Sequence, residues 1–176
     1  MTNERLKVLN VLAYAIQMET DGKRYYEQAG KAAINKLGKE MYLWLARQED
    51  KHKIAFEKIY ESMQGTAGWP ALSFVQETRS GLRTLFAEAI KTAAKEGKGS
   101  SEEIDVIDKA KEMELKSRNY YENQAADIAS STEKAFYLAL AAEERGHYLT
   151  LVDYKEYLID PAGYFLKSEH HSLDGG

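Results

Sequence analysis

Two stretches decide the fold. One is Tyr42-Leu-Trp-Leu-Ala-Arg-Gln-Glu49-Asp-Lys-His52-Lys-Ile-Ala-Phe56. The other is Tyr137-Leu-Ala-Leu-Ala-Ala-Glu-Glu144-Arg-Gly-His147-Tyr-Leu-Thr-Leu151. In both, a seam repeats every three to four residues, the period of one face of an α-helix. In the first it runs Leu45, Glu49, His52, Phe56, Ile59, Met63; in the second Tyr137, Leu140, Glu144, His147, Leu151, Tyr154, Leu158. A Glu and a His thus interrupt each otherwise apolar seam at the same place. Working outward, a shift of 95 residues superimposes 10–60 on 105–155 with fourteen identities in 51 positions and no gap. Glu19/Glu114, Tyr25/Tyr120 and Tyr26/Tyr121 are among them. Chance would give roughly three for an ordinary composition. The chain is an internal duplication, which predicts a pseudo-twofold axis.

The rest of the chain reads as all-α. Only Pro70 and Pro161 interrupt 176 residues dominated between them by Ala, Leu, Glu and Lys. Four long helices are expected: Glu4 to Ile34, Lys39 to Met63, one opening at a Ser100/Glu103 capping box, and one capped by Ser130 and Glu133 and closed by Pro161. Between the second and third, residues 65–99 form a long crossover with a shorter amphipathic helix around Leu82, Leu85, Phe86, Ala89, Ile90 and Ala93. Two hairpins joined by one long connection describe a four-helix bundle of the ferritin-like kind, occupying 1–161 and followed by a tail, 162–176. In the tail, Tyr164 and Phe165 read as an apolar anchor, and His170 and His171 as part of a flexible end rather than a second metal site.

Composition excludes several classes of function. Lys plus Arg number 24 against 28 Asp plus Glu, a net charge of −4, which speaks against a nucleic-acid binder. No Cys is present, which removes thiolate metal sites, disulfides and thiol catalysis. The apolar runs are too short for a membrane span and no secretory h-region is evident, so a cytoplasmic location is expected.

The same seam in the first helix reads Leu12, Ala15, Glu19, Gly22, Tyr26, and in the third Ile107, Ala110, Glu114, Ser117, Tyr121. Glu19 lies about 15 residues before its hairpin turn and Glu49 about 10 after it, so a rise of 1.5 Å per residue brings them to a similar level. Glu114 and Glu144 repeat the arrangement. Four buried carboxylates with no Lys or Arg on the seam require compensation, because an unpaired buried charge costs several kcal/mol. Two divalent cations supply +4 against −4, with His52 and His147 as neutral ligands. Oxygen-rich donors, one nitrogen per metal and no sulfur suit iron or manganese. Glu-x-x-His places both side chains on one helix face, where they can grip neighbouring metal positions.

The pattern Glu19 … Glu49-x-x-His52 … Glu114 … Glu144-x-x-His147 resembles the di-iron carboxylate site of the rubrerythrin and bacterioferritin branch of the ferritin-like superfamily, over about 150 residues. The resemblance implies that Glu49 and Glu144 bridge two iron ions, with manganese or zinc as alternatives. It makes Glu19 and Glu114 terminal ligands, and gives each metal one imidazole, from His52 or His147. It also makes Tyr26 and Tyr121 candidate catalytic tyrosines that hydrogen-bond a ligating carboxylate; the alternative is two ordinary core tyrosines. Two departures stand out. Ser117 occupies the place of an extra glutamate of rubrerythrins, which puts their redox-linked ligand shift in doubt. Their cysteine-ligated rubredoxin-like domain has no counterpart, so electrons are expected from a separate donor protein such as a rubredoxin.

The function expected is that of a non-haem di-iron oxidoreductase, a peroxidase or ferroxidase that oxidises bound Fe(II) with hydrogen peroxide or dioxygen. A homodimer or higher homo-oligomer is expected. The alternatives are iron binding and storage, a dimanganese catalase-like enzyme, and oxygenation of an organic substrate. Gly22 and Ser117 are expected to leave room beside the metals for water, dioxygen or peroxide. Gln48 and Glu143, each just before a candidate ligand Glu, read as partly solvated, the alternative being that they orient an imidazole across the core; Trp44 reads as packing on a neighbouring helix or a subunit partner.

Overall fold

The computed structural model describes residues 3–65, 68–70, 98–161 and 163–164. Among these are four long helices and no strand: α1 (Asn3–Ala32), α2 (Lys36–Gln64), α3 (Ser101–Asp127) and α4 (Ser131–Ile159). α1 packs along α2 and α3 along α4, and the two hairpins meet through α1 with α3 and α2 with α4. This is the all-α, ferritin-like bundle. The crossover helix expected around 82–93 and the tail from 165 onward lie outside the described residues, as do His170 and His171.

The ends of the helices follow local chemistry. Ser100 and Glu103 form the anticipated reciprocal capping box, with bonds of 3.2 and 3.0 Å. Ser130 Oγ accepts from the Glu133 amide at 3.4 Å. At the first hairpin the expected boundaries shift: α1 stops at Ala32, and α2 begins at Lys36 rather than Lys39. Asn35 is the reason, since its side chain accepts from the Gly38 amide at 2.7 Å and caps α2 one turn earlier. Gly38 therefore lies within α2 rather than between the helices. It sits in the first turn because a β-carbon there would meet the Tyr154 hydroxyl, which Asn35 Nδ2 also reaches at 2.9 Å.

Every residue of the four seams is buried except Met63 and Ser117, which are half-buried. Apolar packing falls into two clusters. One gathers Tyr26, Tyr42, Leu45, Ala46, Ile107 and Ala110; the other gathers Tyr121, Tyr137, Leu140, Ala141, Leu12 and Ala15. The 95-residue shift exchanges these six with those six, so the duplication is carried into the packing. It is carried into hydrogen bonds as well. Tyr25 donates across the hairpins to the Val106 carbonyl at 2.7 Å, and Tyr120 returns the bond to Val11 at 3.2 Å. Beyond the α4 cap at Asp160, Tyr164 packs on the first cluster, edge-on to Tyr157, as an apolar anchor should.

The Gly38–Tyr154 approach generates a test. Gly38→Ala should lower stability by about 1–3 kcal/mol through overpacking. Tyr154→Phe combined with it should recover part of that loss. Thermal melts of the two single variants and the double variant check this, and strictly additive losses would refute the close approach.

Candidate metal centre

Between the two apolar clusters lies a layer of six buried polar side chains: Glu19 from α1, Glu49 and His52 from α2, Glu114 from α3, and Glu144 and His147 from α4. None is more than 4% exposed. The helical seams deliver them together, as the 4,3 spacing and the equal depths require. Their potential ligand atoms form two overlapping groups, Glu19–Glu49–His52–Glu144 and Glu49–Glu114–Glu144–His147, each with one such atom per residue and all of these within 4.8 Å of one another. Glu49 and Glu144 belong to both groups. His52 Nδ1 lies 3.4 Å from Glu19 and 3.2 Å from Glu144. His147 Nδ1 lies 3.4 Å from both Glu49 and Glu114, and 3.5 Å from Glu144. The two rings stack with centroids 5.5 Å apart and an 18° angle between planes.

Proximity here is not hydrogen bonding. Glu19 Oε2, Glu49 Oε1, Glu114 Oε2, both Glu144 oxygens and both His147 ring nitrogens are buried without a hydrogen-bond partner. A native core leaves few such groups, and each orphan costs about 1–3 kcal/mol. So many acceptors converging around two imidazoles form a donor set for hard cations: four carboxylates and two nitrogens, with no sulfur. The residues present fit a pair of divalent ions, whose +4 balances the carboxylate charge.

The remaining carboxylate oxygens of the two outer glutamates are held by phenols. Tyr26 donates to Glu114, and Tyr121 to Glu19. Each tyrosine serves the glutamate of the opposite hairpin. Its own Glu is seven residues away, about 10 Å along the axis. Burial and the facing carboxylates push both phenols well above their ordinary range, so they stay protonated donors.

Two neighbours depart from the sequence reading, Gln48 and Gly22. Gln48 is buried rather than partly solvated, while Glu143 is half-buried. Trp44 packs on a neighbouring helix, as expected: half-buried on α2, it stands edge-on to His147 of α4, with ring centroids 5.6 Å apart. Gly22 was expected to leave open space beside the metals. That space is taken by the Glu49 carboxylate, which a β-carbon at 22 would strike. Gly22 thus seats the Glu49 carboxylate.

Crowding sets the protonation of the layer without metal. Burial and the neighbouring charges of Glu144, Glu19 and Glu114 push Glu49 well above the carboxylate range. Burial and Glu144 push Glu114 up to about 8. Burial disfavours charged imidazoles, but the facing carboxylates outweigh it, and both histidines are raised. Burial also opposes ionisation of Glu144, yet its contacts with Glu114, His147 and His52 prevail and hold it well below the usual range.

The sign of the pH effect follows. Groups raised above their unfolded values stabilise the fold fully at low pH and lose that contribution as pH climbs through their folded values. Glu144, shifted the other way, stabilises the fold throughout the neutral and alkaline range and loses that contribution only as pH falls through and below the ordinary carboxylate range, so it adds no slope between pH 6.5 and 9. Chelator-treated protein should therefore melt at a lower temperature at pH 9 than at pH 6.5. A melting temperature that climbs over that interval in calorimetry would contradict the clustered arrangement.

Comparison with known families agrees with the geometry. A family model described as Rubrerythrin matches residues 10–153, a span that contains all six polar residues of the layer. No match is found among curated proteins or among solved structures. With 144 of its 176 residues covered by that model, and the carboxylate–histidine layer in place, the chain belongs to the rubrerythrin family.

Proposed function

We propose that this protein binds two iron ions through Glu19, Glu49, His52, Glu114, Glu144 and His147 and acts as a peroxidase or ferroxidase. Hydrogen peroxide or dioxygen would be the oxidant. The observation that carries this reading is the set of buried, unpartnered carboxylate oxygens and imidazole nitrogens, shared so that Glu49 and Glu144 belong to both groups. That sharing supports Glu49 and Glu144 as bridges, and Glu19 with His52, and Glu114 with His147, as the terminal sets.

An iron pair supplies two electrons together, which balances the reduction of one hydrogen peroxide and two protons to two waters. The chain supplies the rest. The apolar clusters above and below the layer exclude bulk water. Tyr26 and Tyr121 lock the orientation of Glu114 and Glu19, and their hydroxyls hold protons one hydrogen bond from the ligating carboxylates. A separate electron-donor protein, such as a rubredoxin, would return the iron to Fe(II). No described helix is long and apolar enough to cross a membrane.

The test is an anaerobic Fe(II) titration followed by rapid mixing with peroxide and, separately, dioxygen. Two Fe(II) per chain and fast oxidation by one of the oxidants are expected. Glu49→Ala or Glu144→Ala should weaken both ions by about 100-fold or more, because each removes a shared ligand and leaves its neighbours uncompensated. Glu19→Ala should weaken one ion preferentially. Binding unchanged in all three variants would overturn the assignment.

The seat of Glu49 gives a second test. Gly22→Ala should displace that carboxylate and weaken both ions by about 10-fold or more, as losing the support of a ligand typically does. Ser117→Ala, at the duplicated position, should leave binding close to wild type. Calorimetric titration with unchanged helical circular dichroism distinguishes this effect from misfolding.

A further inference from the structure

One acidic group near the layer has no part in the ligand set. Glu143 precedes Glu144 on α4 and is half-buried. One of its carboxylate oxygens lies within 4.8 Å of a ring nitrogen of His52 and of a ring nitrogen of His147. The Nδ1 atoms of both histidines already face the ligating carboxylates, at 3.2 to 3.5 Å. Once Nδ1 binds a metal, Nε2 is the nitrogen left on each ring, and in a neutral imidazole it carries the proton. His147 is 1% exposed and its Nε2 has no hydrogen-bond partner. His147 thus has a buried, unpartnered ring N–H and a carboxylate oxygen within 4.8 Å of one of its ring nitrogens, a separation that one bridging water spans.

We infer that Glu143 is a positioning residue for both imidazole ligands, accepting their outward N–H groups and thereby fixing ring orientation and strengthening the metal–nitrogen bonds. The inference rests on the di-metal reading above. A ligating imidazole commonly donates its second N–H to a carboxylate, which fixes its tautomer and raises its basicity.

The duplication supports this role. The equivalent of Glu143 in the first half is Gln48, which is 3% exposed. A carboxylate at that buried place would add a fifth core charge with no cation assigned to it, whereas the half-exposed position of Glu143 tolerates a charge. Trp44 adds to the asymmetry: it stands edge-on to His147, and its duplicated position holds the small Ala139. The two halves thus match in their ligands and differ behind the imidazoles, where Glu143, a carboxylate outside the ligand set, lies within 4.8 Å of a nitrogen of each ring.

The experiment uses the full chain and Co(II) as the probe, with calorimetric titration and proton NMR of the loaded protein. Wild type should bind two Co(II) and show paramagnetically shifted, slowly exchanging imidazole N–H signals. Glu143→Leu should still bind two Co(II), with affinity lowered about 10–100-fold and those N–H signals lost to fast exchange. Glu143→Gln, which keeps the volume and a neutral acceptor, should fall between the two and controls for misfolding of the leucine variant. Affinity and N–H exchange unchanged in both variants would overturn the inference while leaving the di-metal site standing. A wild-type stoichiometry of three that falls to two in Glu143→Leu would also overturn it, by making Glu143 a ligand in its own right. Failure of wild type to bind Co(II) at all would remove both readings together.

Discussion

Four carboxylates enclosed between two apolar clusters are the constraint on which the rest of this molecule depends. An ionised carboxylate leaves water only at a cost of several kcal/mol, and like charges a few ångströms apart add to it. Without cations the layer compromises: Glu49 and Glu114 hold protons upward of their usual range, Glu144 is driven below it, and both imidazoles are raised. Such an arrangement lowers the local charge but leaves oxygens and nitrogens unpartnered. Cations would satisfy both demands at once, neutralising the carboxylates and occupying the orphaned lone pairs.

The helical scaffold is organised around holding that layer together. Each hairpin contributes one Glu from its first helix and a Glu-x-x-His pair from its second. The two hairpins are tied to each other by reciprocal tyrosine bonds, Tyr26 to Glu114 and Tyr121 to Glu19 beside Tyr25 to Val106 and Tyr120 to Val11. These phenols do two jobs with one hydroxyl group each: they satisfy a buried acceptor and fix the register between halves. Gly22 and Gly38 mark places where the packing leaves no room for even a methyl group, beside Glu49 and Tyr154 respectively.

Much of this was legible in the sequence, for a physical reason. Helical periodicity and duplication are one-dimensional signals, and a polar residue on an apolar seam is conspicuous in them. Glu19, Glu49, His52, Glu114, Glu144 and His147 could be placed in one layer from spacing and depth alone. The features that escaped depend on the third dimension. The exchange of tyrosine partners between hairpins needs the separation of α1 from α3, which no spacing encodes. The burial of Gln48 and the edge contact of Trp44 with His147 depend on how the hairpins are rotated about their axes. The space beside Gly22 looked vacant because a sequence shows that a side chain is missing but not what moves into the gap. The early start of α2 was legible in principle, since Asn35 is a residue type favoured at the N-cap.

The most direct measurement of the central claim is a crystal structure of iron-loaded protein, with anomalous scattering recorded on both sides of the iron absorption edge. The account predicts two iron peaks a few ångströms apart, both between the Glu49 and Glu144 carboxylates, with the Nδ1 atoms of His52 and His147 on opposite ions. A fully occupied crystal with a water-filled or proton-bridged carboxylate layer, or with its iron bound elsewhere on the chain, would contradict it.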